Sequence, residues 1–333
     1  MLSNYWYIIY QTKKLGKSPV KVTLFGDEIV LFRSHDNIVA LEDRCAHRNA
    51  PLSDGHVHCG KIICPYHGWQ YNDQGEVSKI PSEENQTNSL ISIKKYNIVE
   101  QDGFIWITFN TDINTTPPKI LNYKEKGWTS FLMITDFPAP VDACLENFLD
   151  CPHATTVHNK WFRSSTSKVI EAELRINDDG SEVEYFEEPR KKSAVWTLLN
   201  RKKAQMKHID RFIAPSTSKV DYIFSDNCHY TITSFCTPIT ENKTRVFTIM
   251  NYKAGRLSKL IRIFFEPLSR IILKQDLRII EKQQETIKKF GKEKFTVIKS
   301  DLLLPSIRQW RNSLAKGEKP KLEKKNTNFK IRL

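Results

Sequence analysis

The chain has 333 residues, 40% of them hydrophobic and 27% charged, which is ordinary for a folded globular protein and long enough for two domains. Its net charge of +13 is uneven: residues 1–110 are close to neutral, whereas the last 83 hold 22 basic and 8 acidic side chains. No apolar run reaches the roughly 20 residues that span a bilayer, Met1–Tyr10 lacks the basic start of a secretory signal, and no nucleic-acid module is found, so a soluble, cytoplasmic protein that binds no nucleic acid is expected.

The first 110 residues read as β structure. Short runs rich in Val, Ile, Phe and Trp (Val20–Phe25, Ile29–Arg33, Ile38–Leu41, Phe104–Phe109) are separated by turn signals at Gly26-Asp27, Asp36-Asn37, Asp73-Gln74-Gly75 and Asp102-Gly103. The polar stretch Asn110–Pro118 is the candidate domain boundary, dividing the chain into 1–112 and 113–333. Residues 141–159 follow with a helical pattern, and then strand-like runs at Val183–Phe186, Val220–Phe224, Tyr230–Phe235 and Thr244–Tyr252. Helical spacing returns over Leu257–Lys289, with Pro267 as a break. The fold class is α+β: an all-β N-terminal domain, then a mixed domain of antiparallel sheet and helices.

The basic C-terminal third reads first as a solvated helix face and a frayed tail. Two functional readings stand beside it, a docking patch for an acidic electron-transfer protein and attraction to anionic lipid. The run Arg256–Phe265 mixes cations with Leu, Ile and Phe, which suits an interfacial helix. A buried helix lining a pocket is the favoured account.

Two groups of metal-ligating residues carry the chemistry. The first is Cys45-x-His47, sixteen residues, then Cys64-x-x-His67. Paired thiolates and imidazoles suit a metal centre, and a structural zinc site is one option. Zinc fingers more often pair Cys with Cys and His with His. Of the remaining cysteines, Cys59, Cys144, Cys151, Cys228 and Cys236 show no paired spacing and read as buried free thiols; His56 and His58 read as exposed loop residues.

The segment Cys64-Pro-Tyr-His-Gly-Trp resembles the Rieske [2Fe–2S] motif. The resemblance implies that Cys45 and Cys64 hold one iron and His47 and His67 the other. It also implies that Gly68 allows close backbone approach and that Trp69 shields the site. The extra cysteine pair of respiratory-chain Rieske proteins is missing, since Arg48-Asn49-Ala50 and Tyr66 stand there. The sequence therefore looks like the oxygenase or ferredoxin branch.

The second group is Glu146-Asn-Phe-Leu-Asp150-Cys-Pro-His153-Ala-Thr-Thr-Val-His158. On a locally irregular helix, this spacing lets both imidazoles face one point. Two imidazoles and a carboxylate form the facial triad of non-heme Fe(II) oxygenases, while the plain alternative is a hydrogen-bonded histidine pair capping a helix. The stretch resembles the Asp-x-x-His-x-x-x-x-His signature of Rieske non-heme iron oxygenases, most closely the compact vanillate demethylase-like group.

That resemblance implies a mononuclear Fe(II) held by His153, His158 and Asp276, with Glu281 and Glu285 as competitors for the third place. Asp150 would link His153 to His67 of a neighbouring subunit, which implies a homotrimer, and Asn147 would stand close to the iron. No Gly-x-Gly-x-x-Gly fingerprint is found, so an external reductase or ferredoxin must handle NAD(P)H. The implied reaction is O2-dependent hydroxylation or oxidative demethylation of an organic substrate. A Rieske electron carrier and a lipid-modifying enzyme at a membrane surface are the alternatives. Phe148, Trp161, Phe162, Phe212 and Phe264 are candidate pocket residues, each of which also suits a core.

Overall fold

The computed structural model describes residues 1–84, 88–112, 114–158, 168–186, 206–225, 228–255, 258–321 and 326–332. They form two compact units, Ser3–Ile120 and Leu121–Leu333, the latter together with Met1–Leu2. The first unit reaches past the polar stretch because its side chains hold that stretch. Gln101 Nε2 donates to the carbonyls of Pro117 and Pro118, and Asp102 accepts from the Ile120 amide at 2.9 Å.

The first unit is all β. Its strands are β1 (Tyr7–Gln11), β2 (Val20–Leu24), β3 (Asp27–Ser34), β4 (Asn37–Glu42), β5 (His56–His58), β6 (Lys61–Ile63), β7 (Gln70–Tyr71), β8 (Glu76–Lys79), β9 (Asn88–Ser92), β10 (Asn97–Gln101) and β11 (Phe104–Thr108). They pair antiparallel in three sheets, β1-β11-β10, β2-β3-β4 and β5-β6-β7-β8-β9. The β10–β11 hairpin turns through Asp102 and Gly103, both at positive φ, the geometry whose twist matches the flanking strands.

Strand β3 shows how the pattern positions the site. Side chains alternate across a strand, so Ile29 and Leu31 enter one core with Tyr7, Ile105 and Ile107, while Val30 and Phe32 enter the other. That second core contains Cys45, Leu52, Cys64, Trp69 and Tyr71. The two cysteines are thus anchored in packed apolar surroundings although they stand in loops.

The second unit is built on one antiparallel sheet of eight strands. After β12 (Thr129–Phe137) come helix α1 (Val141–Leu149), β13 (Val169–Ile176), β14 (Gly180–Tyr185), β15 (Lys207–Ile213), β16 (Thr217–Ser225), β17 (Cys228–Thr240) and β18 (Lys243–Ala254). Helix α2 (Ser258–Phe290), helix α3 (Leu304–Ala315) and strand β19 (Asn326–Arg332) complete it. The sheet order is β12-β18-β17-β16-β15-β14-β13-β19, with α1 packed on β15 to β18 and α2 on β12 and β18.

Several expectations need correction. The 141–159 segment is not one helix: α1 ends at Leu149, Asp150 is extended, and Cys151–Thr155 form a 3₁₀ turn. Pro152 explains the break, because it has no amide hydrogen to donate and its ring clashes with the preceding helical turn. Pro267 does not break α2, which runs through it for 33 residues. Both Pro267 and Ile263, whose carbonyl loses its helical partner there, are solvent-exposed, so the freed group lies on the side of the helix open to solvent.

The C-terminal region is not a frayed tail. Strand β19 pairs antiparallel with β13, and its last basic residues, Lys330 and Arg332, lie in that ladder. On α3, Arg308 pairs with Glu146 at 2.9 Å, and Arg311 binds Asp142 and the Pro215 carbonyl at 2.6 Å. Part of the basic excess therefore clamps α3 onto α1. Of the cysteines without paired spacing, Cys144, Cys151 and Cys236 are buried as expected and Cys228 is half-buried, whereas Cys59, expected to be buried, is exposed at a tight turn with φ +46°. His56 and His58 are exposed as expected, but on β5.

Candidate metal centres and their family

In the first unit, two loops fold back on themselves in the same way. After β4, the Cys45 amide donates to the Ala50 carbonyl and Asn49 N–H returns to the Cys45 carbonyl, both at 2.9 Å. After β6, the Cys64 amide donates to the Trp69 carbonyl at 2.8 Å and Gly68 N–H returns to the Cys64 carbonyl at 3.1 Å. Gly68 sits at φ +72°, and a Cβ there would press on the ring of Pro81 at 3.3 Å. Glycine is therefore favoured by backbone shape and by space, while Asn49 takes the matching place in the first loop at φ +60°.

These loops set the four donors together. Cys45 and Cys64 are buried, and the His47 and His67 rings lie 4.6 Å apart. Trp69 stacks on His47 at 4.8 Å with its plane only 5° away. Burial pushes the Cys64 thiol up, opposed by the amides of Tyr66 and His67 that point at the sulfur. Amides directed at a sulfur stabilise negative charge there, as a cluster thiolate requires. His47 Nδ1 is buried without a hydrogen-bond partner, which fits a ligand atom.

The donor spread discriminates between a single zinc ion and a cluster. Four ligands of one zinc ion lie within about 4 Å of one another. Among the described residues, the one set of three or more donor atoms that close together, within 4.8 Å, is elsewhere. The arrangement fits a two-iron cluster better than one ion.

That tighter set is His153, His158 and Asp276. His153 Nδ1 donates to the main-chain carbonyl of Asp150, and His158 Nδ1 donates to Gln275 Oε1 at 2.9 Å. With both Nδ1 atoms carrying hydrogen, both Nε2 atoms present lone pairs. The Nε2 atoms stand 3.3 Å apart, and Asp276 Oδ1 is 3.4 Å from one and 3.0 Å from the other. Asp276 is buried, and Oδ1 makes no well-directed hydrogen bond. Three converging acceptors repel one another unless a cation stands between them, so the trio fits a divalent metal.

The electrostatics agree. Burial acts to raise the Asp276 carboxyl, but His153 and His158 outweigh it and hold the group below its ordinary range. Burial lowers His153, but Asp276 and Asp150 outweigh that and raise it. The trio attracts positive charge.

The trio stands at the wall of a largely apolar cavity of about 120 Å³. Met133, Phe148, Val220, Ile232, Met250 and Phe265 are among the apolar side chains that line it. Its polar lining includes Ser218, Ser234, Ser269 and the buried pair His208–Asp210, joined at 2.8 Å. The His208 ring is clamped between Tyr185 and Tyr222, with centroids 4.7 and 4.4 Å away.

Among the proposed pocket residues, Phe148 lines this cavity, Phe212 belongs to the core and Phe264 faces solvent. Trp161 and Phe162 lie outside the described residues. Glu281 and Glu285, the competitors of Asp276, are exposed on α2. Asp150 borders both the cavity and a larger groove, while Asn147 lies in the groove alone, its Oδ1 buried and unpaired. The Asp150 carboxylate is 3.9 Å from His153 Nδ1 and its side chain is 43% exposed. Its backbone, rather than its carboxylate, orients His153.

Three contacts escaped the sequence reading. Gln275 fixes His158; Tyr71 OH lies 3.1 Å from Cys45 Sγ and accepts from the Ala46 amide at 3.0 Å; Asp43 holds Ser53 by two bonds, at 2.7 and 2.6 Å. Tyr71 alone had a local signal, standing seven residues after Cys64 on the strand that leaves the second loop.

A two-iron cluster domain and a separate site of two histidines and a carboxylate on an antiparallel sheet define a class of redox protein. Residues 5–97 match the family model of the Rieske [2Fe-2S] domain, and residues 137–317 match that of the vanillate O-demethylase oxygenase C-terminal domain. The chain belongs to the Rieske oxygenase family, whose members carry the [2Fe–2S] cluster together with a mononuclear iron.

Chlorophyllide a oxygenase of Arabidopsis thaliana is 28% identical over 330 residues, covering 95% of this chain and 58% of that one. The 4β-methylsterol monooxygenase of Methylococcus capsulatus is 34% identical over 163 residues, 46% of this chain and 44% of that one. The chain thus spans about half the length of these curated relatives. A crystal structure of dicamba monooxygenase bound to dicamba shares the fold, with a TM-score of 0.81 at 18% identity over 95% of this chain and 98% of that one. Among the described residues, no helix is long and apolar enough to cross a membrane.

Proposed function

We propose that the chain is the terminal component of an oxygenase system. It takes electrons singly from a separate reductase or ferredoxin and uses O2 to hydroxylate or oxidatively demethylate an organic substrate. One observation supports this above an electron-carrier reading: His153, His158 and Asp276 converge beside an apolar cavity in a unit that a carrier would not need. When bound, the cluster supplies one-electron transfer and ferrous iron supplies O2 activation.

The residues divide the work. Cys45 and Cys64 hold the inner iron of the cluster, and His47 and His67 the outer. His153, His158 and Asp276 hold the mononuclear iron, with the two rings oriented by the Asp150 carbonyl and by Gln275. The aromatic and aliphatic cavity wall excludes water and grips the apolar body of the substrate, while Ser218, Ser234 and His208 offer polar anchors.

His67 is exposed, and the half-exposed Asp150 borders a groove beside the iron trio. His67 of one protomer meets Asp150 of the next in a cyclic homotrimer, giving electrons a short path, with Asn147 supporting that groove.

Iron content tests the proposal. Anaerobic protein refilled with Fe(II) should hold about three irons per chain, against about two for a carrier. Asp276→Ala should lower the count to about two and keep the visible spectrum of the cluster. A count that never exceeds the lower value, or a bleached cluster in Asp276→Ala, would overturn the reading.

A further inference from the structure

Helix α2 has two unlike faces. One is turned inward, with Ile261, Phe265, Ser269, Asp276 and Ile280 buried. The outward face of its first half is not the charged surface a solvated helix presents. Leu260, Ile263 and Phe264 are 56%, 63% and 65% exposed, and Ile271 is 43% exposed. With Pro267, also exposed, these positions recur at three- and four-residue steps, so they form one continuous stripe along the helix.

Cations accompany the stripe. Lys259, Arg270, Lys274 and Arg278 lie along or beside the stripe, with Glu266 next to Lys259 and Arg270, while Arg262 falls toward the inward side, 5.9 Å from the Phe131 ring. Glu266 is already engaged by Arg262 at 3.0 Å and by Arg270 at 2.7 Å. No carboxylate partner is found for Lys259, Lys274 or Arg278 among the described residues. At helical spacing, Lys259, Arg270 and Lys274 fall along one flank of the apolar stripe.

We infer that the first half of α2 is an interfacial helix that seats on an anionic lipid surface. Three large apolar side chains standing up from a convex helix have no groove of their own to fill. They suit a soft phase that closes around them, at the depth of about 5–10 Å to which an amphipathic helix sinks. The surplus of cations beside the stripe complements phosphate-bearing headgroups. Arg256 and Leu257 lie outside the described residues; over Ser258–Phe265, each of the two accounts of that run describes one face of the same helix. The inference does not depend on the proposed oxygenase activity.

Vesicle flotation of the purified full-length holoprotein tests it. The protein should rise with vesicles of equal parts phosphatidylcholine and phosphatidylglycerol, and not with phosphatidylcholine alone. Raising salt from about 0.1 M to about 0.5 M should release most of it, because screening shortens the reach of the cations. The triple variant Leu260→Ser, Ile263→Ser and Phe264→Ser should lose binding roughly tenfold or more, as should the pair Lys259→Glu and Lys274→Glu. Each variant should keep its circular dichroism spectrum and sedimenting mass. No flotation, equal binding to neutral vesicles, or variants that float like the parent would overturn the inference. A triple variant with lowered oligomer mass would also overturn it, by assigning the stripe to contact between copies of the chain.

Discussion

Gln275 Oε1 accepts from His158 Nδ1 at 2.9 Å, and the next residue along α2, Asp276, faces the opposite nitrogen of that ring. One helical turn thus sets both the tautomer of His158 and the position of the carboxylate proposed to share a metal with it. Replacing Gln275 by Leu keeps approximate size but removes the acceptor, so the ring can turn and protonate at Nε2. Loss of such an outer partner weakens metal affinity by roughly 10- to 100-fold. Fe(II) titration of the apo mononuclear site should show that loss, with the cluster spectrum unaltered. Gln275→Glu should keep much of the affinity, since a carboxylate accepts the same hydrogen. Unchanged affinity in Gln275→Leu would mean that the ring is held by packing alone.

Tyr71 stands against Cys45 with its hydroxyl 3.1 Å from the sulfur. Burial pushes the phenol far above its ordinary range, so it remains a hydrogen donor at any working pH. A hydrogen bond to a cluster sulfur favours the more negative, reduced state. One such bond is worth about 1 kcal/mol, or roughly 40 mV for a single electron. Tyr71→Phe should therefore lower the potential of the cluster by about that amount while leaving its assembly intact. Protein-film voltammetry measures this directly, and an unchanged or raised potential would remove the role assigned to the hydroxyl.

How much of this was legible follows from how local each signal is. Residues 20–42 could be read strand by strand, because short runs of Val, Ile, Leu and Phe, buried at alternate positions in β2 and on both faces in the middle of β3 and β4, are separated by turns that each have their own Gly, Asp or Asn. The two loops proposed to hold the cluster were readable because Cys45/His47 and Cys64/His67 are close pairs in sequence. The break at Asp150 was missed because α1 and the 3₁₀ turn share one apolar pattern, and Pro152 alone marks the change. Strand β19 was hidden for a different reason. Asn326–Arg332 is a polar edge strand, exposed at alternate positions, and only its register against β13 stabilises it. His208 and Asp210 had no sequence signal, since alternate residues of one strand gain meaning only when a cavity lies beneath them.

Asp150 has separable backbone and side-chain roles. Its carbonyl accepts from His153 Nδ1, while its carboxylate is 3.9 Å from that atom and half-exposed. Burial raises its carboxyl, with His153 only partly offsetting that. Asp150→Asn leaves the carbonyl in place, so the ring keeps its direction and the iron should remain bound. What is lost is the negative charge at the groove. Reoxidation of the reduced cluster during a single turnover should slow by roughly tenfold or more, by analogy with other outer-sphere losses. Stopped-flow absorbance at the cluster band gives that rate, and iron analysis gives the occupancy. An unaltered rate would remove the carboxylate from the electron path.

Glu146 provides a pH-dependent test of how α1 is held. Its side chain is partly buried, 17% exposed, on the helix that leads to Asp150, and Arg308 of α3 donates to it at 2.9 Å. Burial pushes the carboxyl up to about 7, although Arg308 pulls the other way. In the unfolded chain the group titrates near its ordinary value of about 4.5. Between these values the native state binds a proton that the unfolded state has released. Stability from this group is therefore full below about 4.5, falls as pH rises to about 7, and is level above, for a loss of up to about 3 kcal/mol. Glutamine mimics the protonated carboxyl. Glu146→Gln should accordingly match the parent near pH 5 and exceed it near pH 8 by about 1–3 kcal/mol, less whatever Arg308 loses with its charged partner. Denaturant unfolding of both proteins at the two pH values decides the matter. A difference of the opposite sign would mean that the ion pair with Arg308 outweighs the cost of burying the charge.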